Sequence, residues 1–147
     1  LNHRPVCMCA DRTLKSQDLN SIEKVLRLKF DDLLGLYLYG SRARGQNLKT
    51  SDWDLAILPL QSIDPMLCFE VSGELEEILG ARVDLVDLKN TTTVLQFQII
   101  SKGKLIWCSD NQACQQFEML TYSKYQRFNL ERQTILEEIG ERGSILS

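Results

Sequence analysis

The chain has 147 residues, with 17 Lys and Arg against 20 Asp and Glu, a single His and 44% apolar residues; this excludes a disordered segment and is enough to bury one real core. A net charge of −3 and a pI near 5.2 argue against a nucleic-acid-binding face, which is usually basic. No run approaches the roughly 18 apolar residues that cross a bilayer, so neither a membrane nor a polynucleotide is expected as a partner.

The first residues, LNHRPVCMCADRTLK, lack a long apolar core and do not read as a secretory signal, so the expected location is the cytoplasm. Cys7, Cys9, Cys68, Cys108 and Cys114 are odd in number and unevenly spaced, a poor disulfide framework. His3, Cys7 and Cys9 fall short of the four ligands of a structural zinc site. One domain spanning residues 1–147 is expected, with a catalytic core over 19–107.

In chain order, Ile22, Val25, Leu26 and Phe30 recur on one face of a first helix, capped by either Ser16 or Asn20 and ending before Gly35. An apolar run, Leu33–Tyr39, reads as a strand that ends on Gly40–Ser41. Residues 41–51 are polar and basic, and their start suits a short helical turn with its amides aimed at an anion. A second strand covers 53–58, with Pro59 at its end. Pro65 opens a helix whose apolar stripe is read as Met66, Phe69, Leu75, Ile78 and Leu79, stopped by Gly80. Residues 82–88 suit a third strand beside the second. Asn90 or Thr91 caps a helix over 94–102, Gly103 ends it, and Lys104–Cys108 suits an edge strand. Asp110 caps a long last helix over about 112–139, striped by Phe117, Leu120, Phe128, Ile135 and Ile139. Either part of that helix faces a partner, or core and solvent share it between them.

The stretch from 34 to 59 carries the chemistry. Residues two apart on a strand share a face, so Asp52 and Asp54 project side by side. Two such carboxylates repel, and a divalent cation is the usual compensation. Gly40 permits close approach of the backbone, Ser41 offers a hydroxyl beside an amide, and Arg42 and Arg44 are permanent cations suited to phosphate oxygens. Together they point to phosphoryl or nucleotidyl transfer. Trp53 faces the other way, into the core, and Tyr37 and Tyr39 read as plain sheet residues. In the third strand Asp84 and Asp87 face opposite sides, so only one of them reaches the pair.

Gly40–Ser41, ten residues, then Asp52–Trp53–Asp54 resembles the signature of the DNA polymerase beta-like nucleotidyltransferases. Within them GSRARG and SDWDL resemble the minimal nucleotidyltransferase antitoxins paired with HEPN-type RNase toxins. The resemblance spans most of the domain. It implies an α/β fold, a small mixed sheet flanked by helices like a polymerase beta palm, with the long helix appended. It also implies Asp84 as the third carboxylate. The arginine usual in the family before the first aspartate is Ser51 here, so one phosphate or structural contact is missing.

The resemblance further implies that Asp52, Asp54 and Asp84 hold two Mg²⁺ ions, and that Gly40, Ser41, Arg42 and Arg44 bind ATP. Asp84 serves as base or as metal ligand, both readings being open at this point. The implied reaction transfers AMP from ATP to a tyrosine of the cognate HEPN toxin and releases pyrophosphate. Two alternatives stand beside it: neutralisation of the toxin by binding alone, and transfer to a small-molecule hydroxyl. The acidic net charge and the lack of an evident acceptor domain favour a protein acceptor that brings its own docking surface.

Overall fold

A computed structural model of the chain describes residues 16–45 and 52–146. The readings made for His3, Cys7, Cys9 and Ser51 lie outside the described residues. Among the described residues, Cys68, Cys108 and Cys114 form no disulfide with one another.

The elements are α1 (Ser16–Lys29), β1 (Leu33–Tyr39), β2 (Trp53–Pro59), α2 (Pro65–Leu79), β3 (Val83–Asp87), α3 (Thr93–Lys102), β4 (Lys104–Cys108) and α4 (Asn111–Leu146). A single 3-10 turn, Leu88–Asn90, joins β3 to α3. The sheet order is β3-β2-β1-β4. β1 is antiparallel to β2 and to β4. β2 and β3 are parallel, with α2 as the crossover between them. The expected mixed sheet with β4 at one edge is therefore what forms.

The alternation of side chains along the strands divides the core into two layers. On one face Leu36, Leu38, Trp53, Leu55 and Ile57 meet Ile22 and Leu26 of α1 and Val71 and Leu75 of α2. On the other face Tyr37, Ala56 and Leu58 meet Leu88, Ile99 and Cys114. Each large aliphatic side chain so buried contributes about 1.5–3 kcal/mol. The second layer covers only part of its face. The starts of β2 and β3 on that face carry Asp54 and Asp84 instead of core residues.

Three local expectations are corrected. Asn20 lies inside α1, which begins at Ser16. The cap of α3 is Thr92, whose hydroxyl accepts from the Leu95 amide at 3.2 Å, in place of Asn90 or Thr91. Of the expected α2 stripe, Leu75 is buried and Leu79 packs on the core, but the buried set is Cys68, Val71 and Leu75, while Met66, Phe69 and Ile78 are exposed. The i, i+3, i+7 spacing of the buried set is regular. It is legible once cysteine is counted as the small hydrophobe it usually is.

Asp110 does cap α4, its carboxylate accepting from the Ala113 amide at 3.1 Å. The helix runs on to Leu146, past the expected end near 139. Its first half packs through Cys114, Phe117 and Thr121, with Leu120 exposed. Phe97 of α3 stacks on Tyr125 at 3.8 Å and meets Tyr122 edge-on. Residues 126–140 are exposed throughout, Ile135 and Ile139 among them.

Candidate active site

The pairing register decides which side chains meet. Tyr39 pairs with Asp54 across the antiparallel β1–β2 ladder. Asp54 in turn pairs with Asp84 across the parallel β2–β3 ladder. Directly paired residues share a face, so Tyr39, Asp54 and Asp84 form one row across three strands. Asp52 precedes β2 and is exposed.

Asp87 is excluded from the row by parity. It pairs with Ile57 and is buried on the opposite face, where its carboxylate accepts from the Ile63 amide at 2.8 Å and from the Lys89 amide at 2.9 Å. Its oxygens fasten the chain on either side of β3.

The turn after β1 is built around Gly40. Its φ of +75° is the left-handed conformation that glycine tolerates. A Cβ at this position would collide with Asp54 Oδ2 and lie 3.0 Å from Asp54 Cγ. The turn is thus seated directly on the carboxylate. The Arg44 amide closes it, donating to Gly40 C=O at 3.3 Å and to Ser41 C=O at 3.2 Å. The amides of Ser41, Arg42 and Ala43 are the first N–H groups of this helical turn, the arrangement that suits an anion.

The two arginines divide. Arg42 is buried, with its guanidinium carbon 4.0 Å over the Trp53 ring, on the face opposite the carboxylate row. Burial lowers its pKa, and the charges of Asp18 and Asp52 oppose that shift. Arg44 is exposed, and its charge holds the Asp54 pKa down against larger opposing effects. Of the two candidates, Arg44 is therefore the one turned to the row. Arg42 pins the turn to Trp53, which is core, as its alternation with the aspartates required.

The electrostatics are those of an anionic cluster that Arg44 offsets only in part. The Asp54 carboxyl is raised above its ordinary pKa by burial first, then by the charges of Asp84 and Asp52. The Tyr39 phenol is raised well above the ordinary range by burial, then by Asp84 and Asp54. It therefore stays a neutral O–H facing two carboxylates. Tyr39 was not evident as a site residue because only the pairing register reveals it.

A dication fits this donor set in a particular way. Among the described residues, no three His, Cys, Asp or Glu side chains stand together as a ready-made metal cage. Mg²⁺ seldom uses such cages: it takes one or two carboxylates, retains waters and completes its shell with substrate phosphates. Asp54 and Asp84, side by side in register, supply that pair, with Asp52 nearby. The three expected ligands are thus two adjacent carboxylates and a third near the start of the strand.

The raised carboxyl pKa makes a prediction for the protein without metal. A carboxyl whose folded pKa exceeds its unfolded one contributes stability fully present below the unfolded pKa and lost as pH rises through the folded value. Asp54→Asn is therefore expected to raise the melting temperature at neutral pH in EDTA. The gain should shrink to nothing on acidification below the usual carboxylate range. Thermal melts at several pH values check this, and a lower melting temperature at neutral pH would contradict the crowding of charge described.

A cleft of about 780 Å³ opens from Asp52, Asp54 and Asp84 and continues along β3 beside α2. Residues 20–112 match the family model described as Polymerase beta, Nucleotidyltransferase. The chain is 36% identical over 120 residues to a protein adenylyltransferase MntA of Shewanella oneidensis, covering 82% of this chain and 86% of the relative. It resembles a crystal structure of a toxin–antitoxin with AMP-PNP, with a TM-score of 0.76, 36% identity and coverage of 82% of this chain and 96% of that one. It also resembles a chain from a structure of tri-AMPylated Shewanella oneidensis HEPN toxin in complex with MNT antitoxin. There the TM-score is 0.74 and the identity 32%, over 86% of this chain and 98% of the other.

Proposed function

The chain belongs to the polymerase beta nucleotidyltransferase family, and from that premise we propose that it is an antitoxin that transfers AMP from ATP to a tyrosine of a cognate HEPN-type RNase toxin. The observation that carries this reading is the seating of the Gly40–Ser41 turn on the Asp54 carboxylate. It brings a phosphate-binding turn and a metal-binding carboxylate together without an intervening side chain. The likeness to an adenylyltransferase of proteins, and to antitoxin chains solved with an AMPylated toxin, supports a protein acceptor.

Each residue has a part. Ser41 and the amides of the turn hold the β- and γ-phosphates. Arg44 offsets their charge from the exposed side. Asp54 and Asp84, with Asp52, would hold Mg²⁺, which would supply Lewis-acid stabilisation of the charge that grows on the reacting oxygens. Asp84, outermost in the row, orients the attacking hydroxyl. Tyr39 stands opposite Asp54 in the register and lines the row as a neutral phenol. As the tyrosine oxygen bonds to the α-phosphorus its proton passes to the Asp84 carboxylate, the bond from that phosphorus to the bridging oxygen breaks, and pyrophosphate leaves toward Ser41. The added nucleotide places bulk and negative charge on the toxin. The reaction draws on ATP, which assigns it to the cytoplasm. No described helix is long and apolar enough to cross a membrane.

The test is the intact mass of the co-expressed toxin, followed by peptide mapping. AMP-sized additions on a tyrosine support the reading. An unmodified toxin in the presence of ATP and Mg²⁺, alongside efficient labelling of an RNA or a small hydroxyl compound, sinks it. Calorimetry addresses the metal separately: ATP is expected to bind at least tenfold more weakly in EDTA than in Mg²⁺, and equal affinity would remove Asp54 and Asp84 from a metal-holding role.

A further inference from the structure

The sheet ends at β3, whose outer side has no neighbouring strand among the described residues. The ladder with β2 fixes which backbone groups face outward. The Trp53 amide donates to Arg82 C=O at 2.8 Å, and Trp53 pairs with Val83. In a parallel ladder this turns the backbone groups of Arg82, Asp84 and Val86 toward β2, and those of Val83, Leu85 and Asp87 outward. The outward Val83 amide confirms the parity by donating to Glu76 Oε2 at 3.1 Å. Leu85 sits in the middle of the edge, and no described residue outside the sheet bonds its amide or carbonyl. A backbone pair so placed on a largely buried residue calls for a partner.

The cleft that begins at Asp54 and Asp84 runs along this edge, with Phe69 and Gly73 of α2 forming the far wall. Its direction relative to the row matters. The Gly40–Ser41 turn lies on the β1 side of Asp54, and Asp84 lies on the β3 side. With the leaving end of the triphosphate held on the β1 side, in-line displacement brings the nucleophile from the β3 side, where the cleft is.

We infer that the acceptor protein presents its tyrosine on an extended segment that adds as a strand to the outer edge of β3, pairing through the backbone of Leu85. This rests on the transferase reading above and specifies how that acceptor is held. Backbone pairing supplies affinity, and alternate side chains supply selectivity. Strands in a sheet are about 4.8 Å apart, so Asp54 is two spacings, roughly 10 Å, from the added strand. A hydroxyl crossing Asp84 to the α-phosphate must come from a long side chain. Of the three hydroxyl side chains, tyrosine carries its oxygen furthest from the backbone, well beyond serine and threonine.

Gly73 allows a test that leaves the carboxylates alone. A Cβ there meets nothing within 4 Å, and both Ala and Trp are better helix formers than Gly, so Gly73→Trp should fold while filling the cleft and Gly73→Ala should fold without filling it. The experiment uses the full chain, its co-expressed partner and a synthetic peptide spanning the tyrosine modified in that partner. AMP incorporation is expected to fall at least tenfold in Gly73→Trp and stay at the wild-type rate in Gly73→Ala. The ATP dissociation constant of Gly73→Trp should remain within twofold of wild type. Hydrogen exchange at the Leu85 amide should slow at least tenfold when the peptide binds the wild-type chain. Wild-type rates in Gly73→Trp, or unchanged exchange at Leu85 in a chain that is modifying its acceptor, would overturn edge docking and leave the transferase reading intact. A wild-type chain that modifies no tyrosine at all would take down both.

Discussion

Replacing Asp52 and Asp54 together by Asn is expected to reduce AMP incorporation by on the order of 10³-fold or more, the scale on which preorganised charge stabilisation acts in a closed site. The chain should fold as well as before. The Asp54 carboxyl is raised by burial and by its charged neighbours, so the substitution relieves repulsion. Asn is nearly isosteric, and Gly40 still packs against it. Intact mass of the partner and a urea titration of the variant check both halves of the expectation. Transfer at the wild-type rate would show that the row is not the catalytic centre. A variant that still neutralises its toxin fully, without adding mass, would show that masking the toxin is sufficient.

Gly40→Ala is expected to be nearly as damaging, for a geometric reason. The new Cβ would have to occupy the left-handed conformation at φ +75°, at about 1–2 kcal/mol. It would also collide with the Asp54 carboxylate, with Asp54 Cβ itself only 3.2 Å away. Either the carboxylate rotates out of the row or the turn lifts off it. Misplacement by about 1 Å is enough to cost roughly 10²-fold in rate. Gly45→Ala supplies the control. Gly45 has a φ of +72°, but a Cβ there meets nothing within 4 Å. Gly45→Ala should therefore lose only the stability that the strain costs and keep transfer, while Gly40→Ala loses more stability and loses transfer. Equal loss of activity in both would assign the effect to strain in the turn and not to the contact with Asp54.

Much of this site was legible in the sequence because strand alternation is a strict rule. Asp52, Trp53 and Asp54 had to alternate between faces, and Trp53 is indeed core. The choice of Asp84 over Asp87 depended on more than parity, since either residue alone could have faced the pair. The register, which sets Asp84 beside Asp54 and Asp87 beside Ile57, settles that point. What was not legible depends on long-range pairing. Nothing in the 40–52 connection announces that Tyr39 stands opposite Asp54. Arg42 and Arg44 are two positions apart with the same chemistry, yet one stacks on Trp53 and the other stays exposed. That division follows from how the turn winds, which composition does not specify. The α2 stripe is legible only in part: Leu75 and Leu79 pack in the core, but the helix carries apolar residues on more than one face, and the sheet selects Cys68 and Val71 in place of Met66, Phe69 and Ile78.

The 36 residues of α4 give it a length of about 54 Å, whereas a compact body of about 100 residues has a radius of gyration near 13 Å. Its ring contacts with the body end at Tyr125, which stacks on Phe97, so residues 126–146 extend about 32 Å further. Friction on such a shape grows with the length of the rod and not with the mass it carries. End-over-end tumbling is therefore slower than rotation about the helix axis. A size-exclusion volume or a rotational correlation time converted to mass as if for a sphere will come out too high. On that conversion a monomer of this chain passes for something closer to a dimer, and only a method that weighs particles independently of their shape will distinguish the two.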